Sequence, residues 1–288
     1  MYILDTSAIR GIGGTKLRLA SENGLDLSVS TLSVLELASH LNDGNQAADY
    51  AKARGNFLKC RIPRMLNDPF WALAKSIGFN ANPTRAEDLQ MLGHLLDAVE
   101  SSPTLDDLSK IKLNYPDGAT ALCVDIGTSF SAILAEEEQN FVSHIKALAE
   151  DRNLDPSCNG RHSLTSAELV KQLTKEARSL APGTDYNLQA RSFLATAPYF
   201  GYLLARLYTY ANLRPIGESE LRIDPNDCED AYICLNLDLQ TNDVLVTNDK
   251  GTIKALRSTF AMLNEVLPAK IPKTQVMNID DFVRAIEA

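Results

Sequence analysis

The sequence predicts an α/β fold, a parallel sheet with helices on both faces, carrying a large all-helical insertion. Three observations predict it. Short apolar runs recur near both ends of the chain, each leading into a stretch of helical periodicity. An acidic residue follows the first run directly and the run at 244–246 three residues on. The middle, residues 42–225, shows long helical periodicities, punctuated by prolines such as Pro63, Pro83, Pro103, Pro156 and Pro182, and little strand signal.

Tyr2–Leu4 is the first strand; three apolar residues suit a strand covered on both faces. Helical character runs from Thr6 to Glu22, with an irregular start at Gly11, Gly13 and Gly14. Asn23-Gly24 is a turn, and Leu27–Ser30 alternates as a second strand. Ser30 or Thr31 caps the next helix, which carries Leu32, Leu35, Glu36 and Leu37. The far end repeats the pattern. Asp227 to Leu239 reads as helix, Val244–Val246 as strand, Thr252 to Leu263 as helix, Gln275–Met277 as strand and Asp280 to Ala288 as helix. Residues 1–41 and 226–288 therefore make one discontinuous α/β core. Residues 42–225 form the insertion, with helices over 45–60, 84–100, 119–150, 163–180 and 187–212.

The bulk properties narrow the function. Apolar residues make up 45% of the 288, enough for a sizeable core. The net charge of −9 argues against an extensive grip on duplex nucleic acid, so any such contact is local. Cys60, Cys123, Cys158, Cys228 and Cys234 are odd in number and contain no C-x-x-C pair; reduced thiols in a cytoplasmic protein are expected. His40, His94, His144 and His162 have no metal-binding spacing. No signal peptide or membrane span is expected.

Four acids carry the chemistry. Asp5 ends the first strand, Glu36 lies in the helix after the second, Asp230 near the start of a later helix, and Asp249 just past Val246. In a parallel sheet, strand ends and the helix starts that follow them share one edge, so these residues are expected to converge. Clustered carboxylates repel; they bind cations or rise in pKa. An all-oxygen donor set favours Mg2+ or Mn2+ over zinc. Against this stands the plain reading that each acid caps or solvates a helix start.

Around these acids, ILDTS, STLSVLELASHL and EDAYICLNLDLQTNDVLVTND resemble the motifs of PIN-domain ribonucleases, closest to toxins of the VapC type. The resemblance covers residues 1–41 and 226–288. It implies a PIN-like core, Mg2+- or Mn2+-dependent RNA hydrolysis, and Asp5, Glu36, Asp230 and Asp249 as catalytic metal ligands. It also implies an RNA substrate and an antitoxin-like protein partner or a homodimer. The chain departs from a small toxin in the long stretch between Glu36 and Asp230, which leaves substrate and partners open. The alternative is a PIN-like scaffold that no longer cuts and binds a protein or RNA partner through its insertion.

Further residues are candidates by position. Ser7 and Thr247 can donate hydrogen bonds at the site or cap helices. Asp227, one turn before Asp230, is a fifth ligand or a helix N-cap. Lys52, Arg54, Lys59, Arg61 and Arg64, with Tyr50 and Phe57 among them, are a phosphate-tracking patch or a solvated helix face. Two other signals are weak. Asp125-Ile126-Gly127-Thr128 resembles the phosphate loop of sugar kinases, yet Phe130 to Glu138 reads helical where that loop needs a strand. Haloacid-dehalogenase phosphatases need an Asp two places after the first, where this chain has Ser7.

Overall fold

The computed structural model describes residues 1–43, 47–76, 85–114, 118–126, 139–144, 147, 163–181, 183, 185–212, 226–268 and 271–287, with backbone only at 72, 75–76 and 85–88. Its centre is a five-stranded parallel sheet. Strands β1 (Tyr2–Leu4), β2 (Leu27–Val29) and β3 (Arg64–Met65) step outward on one side. Strands β6 (Val244–Val246) and β7 (Gln275–Met277) step outward on the other. The order is β3-β2-β1-β6-β7, so the chain reverses its winding between β1 and β6. Open parallel sheets bind ligands at that point, beyond the carboxyl ends of the strands.

Helices α1 (Thr6–Gly11) and α2 (Gly14–Glu22) follow β1, and α3 (Thr31–Ser39) follows β2. The helix expected over 6–22 is thus two, broken at Ile12-Gly13, where the glycines predicted an irregular start. The Ser30 hydroxyl caps α3 by accepting from Leu32 N–H at 3.3 Å. In the middle stretch come α4 (Ala47–Leu58), α5 (Pro69–Ser76), α6 (Arg85–Ser101), α7 (Leu105–Leu108), α8 (Ser166–Leu180) and α9 (Tyr186–Asn212). The core closes with α10 (Asp227–Ile233), α11 (Lys250–Val266) and α12 (Ile279–Glu287).

The all-helical expectation for 42–225 is corrected in two places. Arg64–Met65 adds β3 to the main sheet, with Leu66 N–H donating to Val29 O at 2.9 Å. Lys112–Asn114 (β4) and Thr120–Leu122 (β5) pair as a small antiparallel ribbon, so the helix expected over 119–150 begins as a strand. The next residues, Cys123–Asp125, form a single 3-10 turn, and Gly127 to Glu138, the rest of the kinase-like segment, lies outside the described residues.

The described middle helices cover both faces of the sheet instead of standing apart. Alternate strand residues face opposite sides. Leu4, Val29 and Val246 pack with α4 and α6 through Tyr50, Phe57, Leu92 and Leu95. Ile3, Leu245 and Val276 pack with α8 and α9 through Leu169, Leu173, Ala197 and Tyr202. Both cores hold fully buried side chains, and each buried Leu or Phe contributes about 1.5–3 kcal/mol. No described helix is long and apolar enough to cross a membrane.

Candidate functional site

The winding reversal brings the ends of β1 and β6 side by side. Asp5 follows β1 and caps α1, its Oδ1 accepting from Ala8 N–H at 2.6 Å. Asp249 follows β6 and caps α11, its Oδ1 accepting from Thr252 N–H at 2.5 Å. The plain capping reading therefore holds for these two, and both also line a common pocket. That pocket, about 250 Å³, is bounded by Asp5, Thr6, Ser7, Arg10, Glu36, Asn226, Glu229, Asp230, Ile233, Asn248 and Asp249. All four acids singled out in the sequence meet there.

Two hydroxyls bind the acids into one unit. Thr252 donates its backbone N–H to Asp249 and its hydroxyl to Asp230 Oδ2 at 2.7 Å. Ser7 donates to Asp5 at 2.8 Å and accepts from Asn248 N–H at 2.7 Å, linking the β1 and β6 ends. Thr247 lies 3.3 Å from the Ser7 hydroxyl and accepts from Asp249 N–H at 3.0 Å. Ser7 and Thr247 thus both lie at the junction of the β1 and β6 ends, beside Asp5 and Asp249.

Glu229 was missed by the sequence reading. It is buried beside Glu36, and its Oε1 has no hydrogen-bond partner. A buried carboxylate oxygen without a partner is costly. The helix was expected from the sequence, but the burial of Glu229 comes from the packing of α10 against α3, which no local pattern announces. Arg10, also missed, approaches Glu36 at 3.7 Å and is the basic residue lining the pocket.

The pocket's electrostatics follow from this crowding. Burial, opposed by hydrogen bonds from Thr247, Ala8 and Ser7, pushes the Asp5 carboxyl up to about 6. Burial and the neighbouring Glu36 raise Glu229 to about 9. Burial, then the charges of Asp5, Asp249 and Glu36, hold Asp230 well above the usual carboxylate range, against the Thr252 hydrogen bond. Ionised together, these carboxylates would carry more negative charge than their protein partners compensate, so without a cation they hold protons.

Whether the residues fit a cation has two sides. Among the described residues, no group of three or more His, Cys, Asp or Glu side chains is arranged to hold a metal ion. The donors nonetheless suit a hard cation in type, being all oxygen. Thr252 takes only one oxygen each from Asp230 and Asp249, and Glu229 Oε1 is unpaired. The set fits in chemistry and charge, and ligation requires side-chain rotation.

Asp227 is not part of this set. It opens α10, where Asn226 is the N-cap residue, and it is buried. Its Oδ1 accepts from Arg206 Nε at 2.6 Å and the Tyr202 hydroxyl at 2.8 Å; its Oδ2 accepts from the Tyr210 hydroxyl at 2.5 Å. All three partners lie on α9, so Asp227 ties the middle stretch to the core. Neither the fifth-ligand nor the N-cap reading describes it.

The basic run also has other partners. Arg54 donates to the carbonyls of Val99, Glu100 and Ser102 at the end of α6. Lys59 donates to Ile9 O and Arg10 O, capping α1. Arg61 pairs with Asp97 and Glu100, while Arg64 reaches Met1 Sδ and lies 4.0 Å from Asp26. Of the five, Lys52 is exposed and has no such partner among the described residues.

Models of known protein families, curated proteins and solved structures were all compared with the chain, and none matches it.

Proposed function

We propose that this protein is a divalent-cation-dependent ribonuclease, most simply an endoribonuclease, with a PIN-like core. The observation that carries the reading is the convergence of Asp5, Glu36, Asp230 and Asp249, joined by Glu229, at the sheet's winding reversal. A site with this much unpaired negative charge suits a substrate only when cations accompany it.

In this reading Asp5, Asp230 and Asp249 would hold one or two Mg2+ or Mn2+ ions, with Glu36 and Glu229 at a second position. Bound there, such ions supply Lewis-acid polarisation of a phosphate and a water of lowered pKa. The chain's own groups do the positioning. Thr252 fixes Asp230 and Asp249 to each other, and Ser7 fixes Asp5 to the β6 end. Arg10 sits where it can pair a phosphate oxygen, and its contact with Glu36 is loose enough to exchange. A cytoplasmic setting fits the free buried thiols of Cys60, Cys123, Cys228 and Cys234. An antitoxin-like partner or a homodimer belongs to this proposal only as far as the VapC resemblance extends.

One observation favours the second reading, a non-cutting scaffold that engages a protein or RNA partner through its middle helices: among the described residues, no three carboxylates stand in ligating positions. Two measurements separate them. A nuclease shows Mn2+-dependent cleavage of RNA that Asp5→Asn removes, with its fold intact. It also gains about 2.7 kcal/mol of stability at 100 times the ion's dissociation constant. Cleavage retained in Asp5→Asn, or no melting shift with Mn2+, contradicts the nuclease.

A further inference from the structure

A second pocket adjoins the carboxylates. It has a volume of about 380 Å³ and lies between α9 and α11, with Ser163 and Leu164 at its rim. From α9 it takes Arg206 and Thr209; from α11 it takes Gly251, Lys254 and Ser258. No carboxylate lines it among the described residues, although the chain carries a net charge of −9 and five acids crowd the neighbouring pocket.

Its cations are placed for an anion. Lys254 is exposed and has no ion-pair partner among the described residues. Arg206 is held from behind: Nε donates to Asp227 at 2.6 Å, Nη2 donates to the Tyr210 hydroxyl at 2.5 Å, and the guanidinium lies 4.8 Å from the Tyr210 ring centre. Its charge is therefore compensated by Asp227, but Nη1 remains a directed donor without a hydrogen-bond partner among the described residues. A guanidinium fixed by two of its nitrogens presents the third without losing further rotamer freedom.

Glycines bring this donor to the edge of the acid site. A Cβ at Gly201 would approach Thr259 Cγ2 to 2.4 Å, so α9 lies against α11 only because that position is bare. A Cβ at Gly251 would stand 2.6 Å from Arg206 Nη1 and 3.0 Å from Asp249 Oδ1. Arg206 and a carboxylate of the first pocket thus flank one point in space. One residue, Lys250, separates Asp249 in the first pocket from Gly251 in the second.

We propose that the Arg206–Lys254 pocket binds a phosphate group of the RNA strand adjoining the one cleaved. The proposal deepens the ribonuclease reading and rests on it for the identity of the strand. It also answers the difficulty of an acidic protein holding RNA: the grip is local, one or two contacts beside the site, and supplied by the middle stretch and α11 together. The Arg206–Tyr210–Asp227 network then has a use besides anchoring α9.

The test uses the whole chain and a fluorescein-labelled single-stranded RNA decamer, with calcium replacing magnesium for the binding arm. Lys254→Glu and Ser258→Asp alter exposed α11 positions and leave the fold intact. Each is expected to weaken binding about tenfold at low salt and to reduce the salt slope of the affinity by about one. In the cleavage arm with Mn2+, each raises KM and leaves kcat within about twofold. Wild-type affinity and salt slope in both variants overturn the proposal, and normal cleavage in the same preparations shows that the ribonuclease reading survives that failure. Salt-dependent binding lost in Lys254→Glu, with no cleavage by any preparation, retains the pocket and removes the nuclease. Inorganic phosphate that stabilises the wild type but not Lys254→Glu, while RNA binding is the same in both, assigns the pocket to a free ion and overturns the strand assignment.

Discussion

Asp227 and Asp230 lie one turn apart on the same short helix, and their surroundings differ in kind. Asp227 has every carboxylate oxygen matched, by one guanidinium and two phenol hydroxyls. Asp230 has one hydroxyl and three like charges. A buried charge with a complete set of partners holds structure together; one left among its own kind is kept against the interest of stability. On the proposed reading, that distinction separates the anchoring groups from those of the site among the described residues. Glu229 falls with Asp230, Lys59 and Arg54 with Asp227.

The sharpest way to break the comparison is one substitution at both places. Asp230→Asn puts a neutral amide where burial and neighbouring acids already favour the protonated carboxyl, so melting without metal stays close to that of the wild type. On the proposed nuclease reading, cleavage of RNA should fall by about 10³-fold, the effect of losing a carboxylate that would hold a metal ion. Asp227→Asn leaves Arg206 half-buried without its counter-charge, and denaturant unfolding should report a loss of about 3–5 kcal/mol. Equal effects of the two substitutions on unfolding would erase the distinction.

The pH dependence of stability sharpens it next. Asp5 at about 6 and Glu229 at about 9 hold their protons more tightly folded than unfolded. Such groups stabilise the fold fully below their unfolded values, near 4, and lose that contribution as pH climbs through the folded ones. Metal-free protein should therefore weaken between about pH 4 and pH 9, with Asp5 alone accounting for about 2–3 kcal/mol by pH 7. Mn2+ competes with those protons, so its melting shift should be larger at pH 8 than at pH 5.5. A metal-free stability that rises steadily from pH 5 to 8 would contradict the crowded-acid account.

What the sequence disclosed follows the same line. The strands at 2–4, 244–246 and 275–277 were legible because strands covered on both faces read as short, mostly apolar runs between turn residues. The convergence of Asp5, Glu36, Asp230 and Asp249 was legible because parallel topology puts strand ends and helix starts on one edge. Glu229 was not, because its neighbour in space is Glu36, set by how α10 meets α3. Thr252 looked like a helix start, and only its joint contact with Asp230 and Asp249 gives it a role. β3 escaped because two residues after Pro63, inside a basic run, show no alternation. Asp227 was misread since its partners are on α9, in a different stretch of the chain.

Thr252 offers a smaller test on the acid side. Thr252→Val keeps the shape and the backbone N–H that Asp249 accepts, and deletes only the hydroxyl that Asp230 accepts. Groups that orient metal ligands from behind typically matter about 10–100-fold in metal affinity or activity. Cleavage should fall within that range at fixed Mn2+, and raising Mn2+ should recover part of it. Loss of activity that no Mn2+ concentration changes would place Thr252 outside the ligand-orienting role.

The smallest effect concerns Lys59, and it tests whether a satisfied cation is structural even in a stretch that looks made for phosphate. Its ammonium donates to Ile9 O and Arg10 O at the end of α1, where backbone carbonyls lack helical partners. Burial lowers its pKa, the direction expected of a lysine drawn out of water toward neutral acceptors. Lys59→Met keeps the apolar stem and removes the donor, so stability should fall by about 1 kcal/mol. The salt slope of RNA binding should not change, in contrast to Lys254→Glu. A slope lowered by about one in Lys59→Met, with stability unaltered, would return the run from Lys52 to Arg64 to the nucleic-acid surface. It would also show that a completed hydrogen-bond set is no guide to which charges this protein keeps for a ligand.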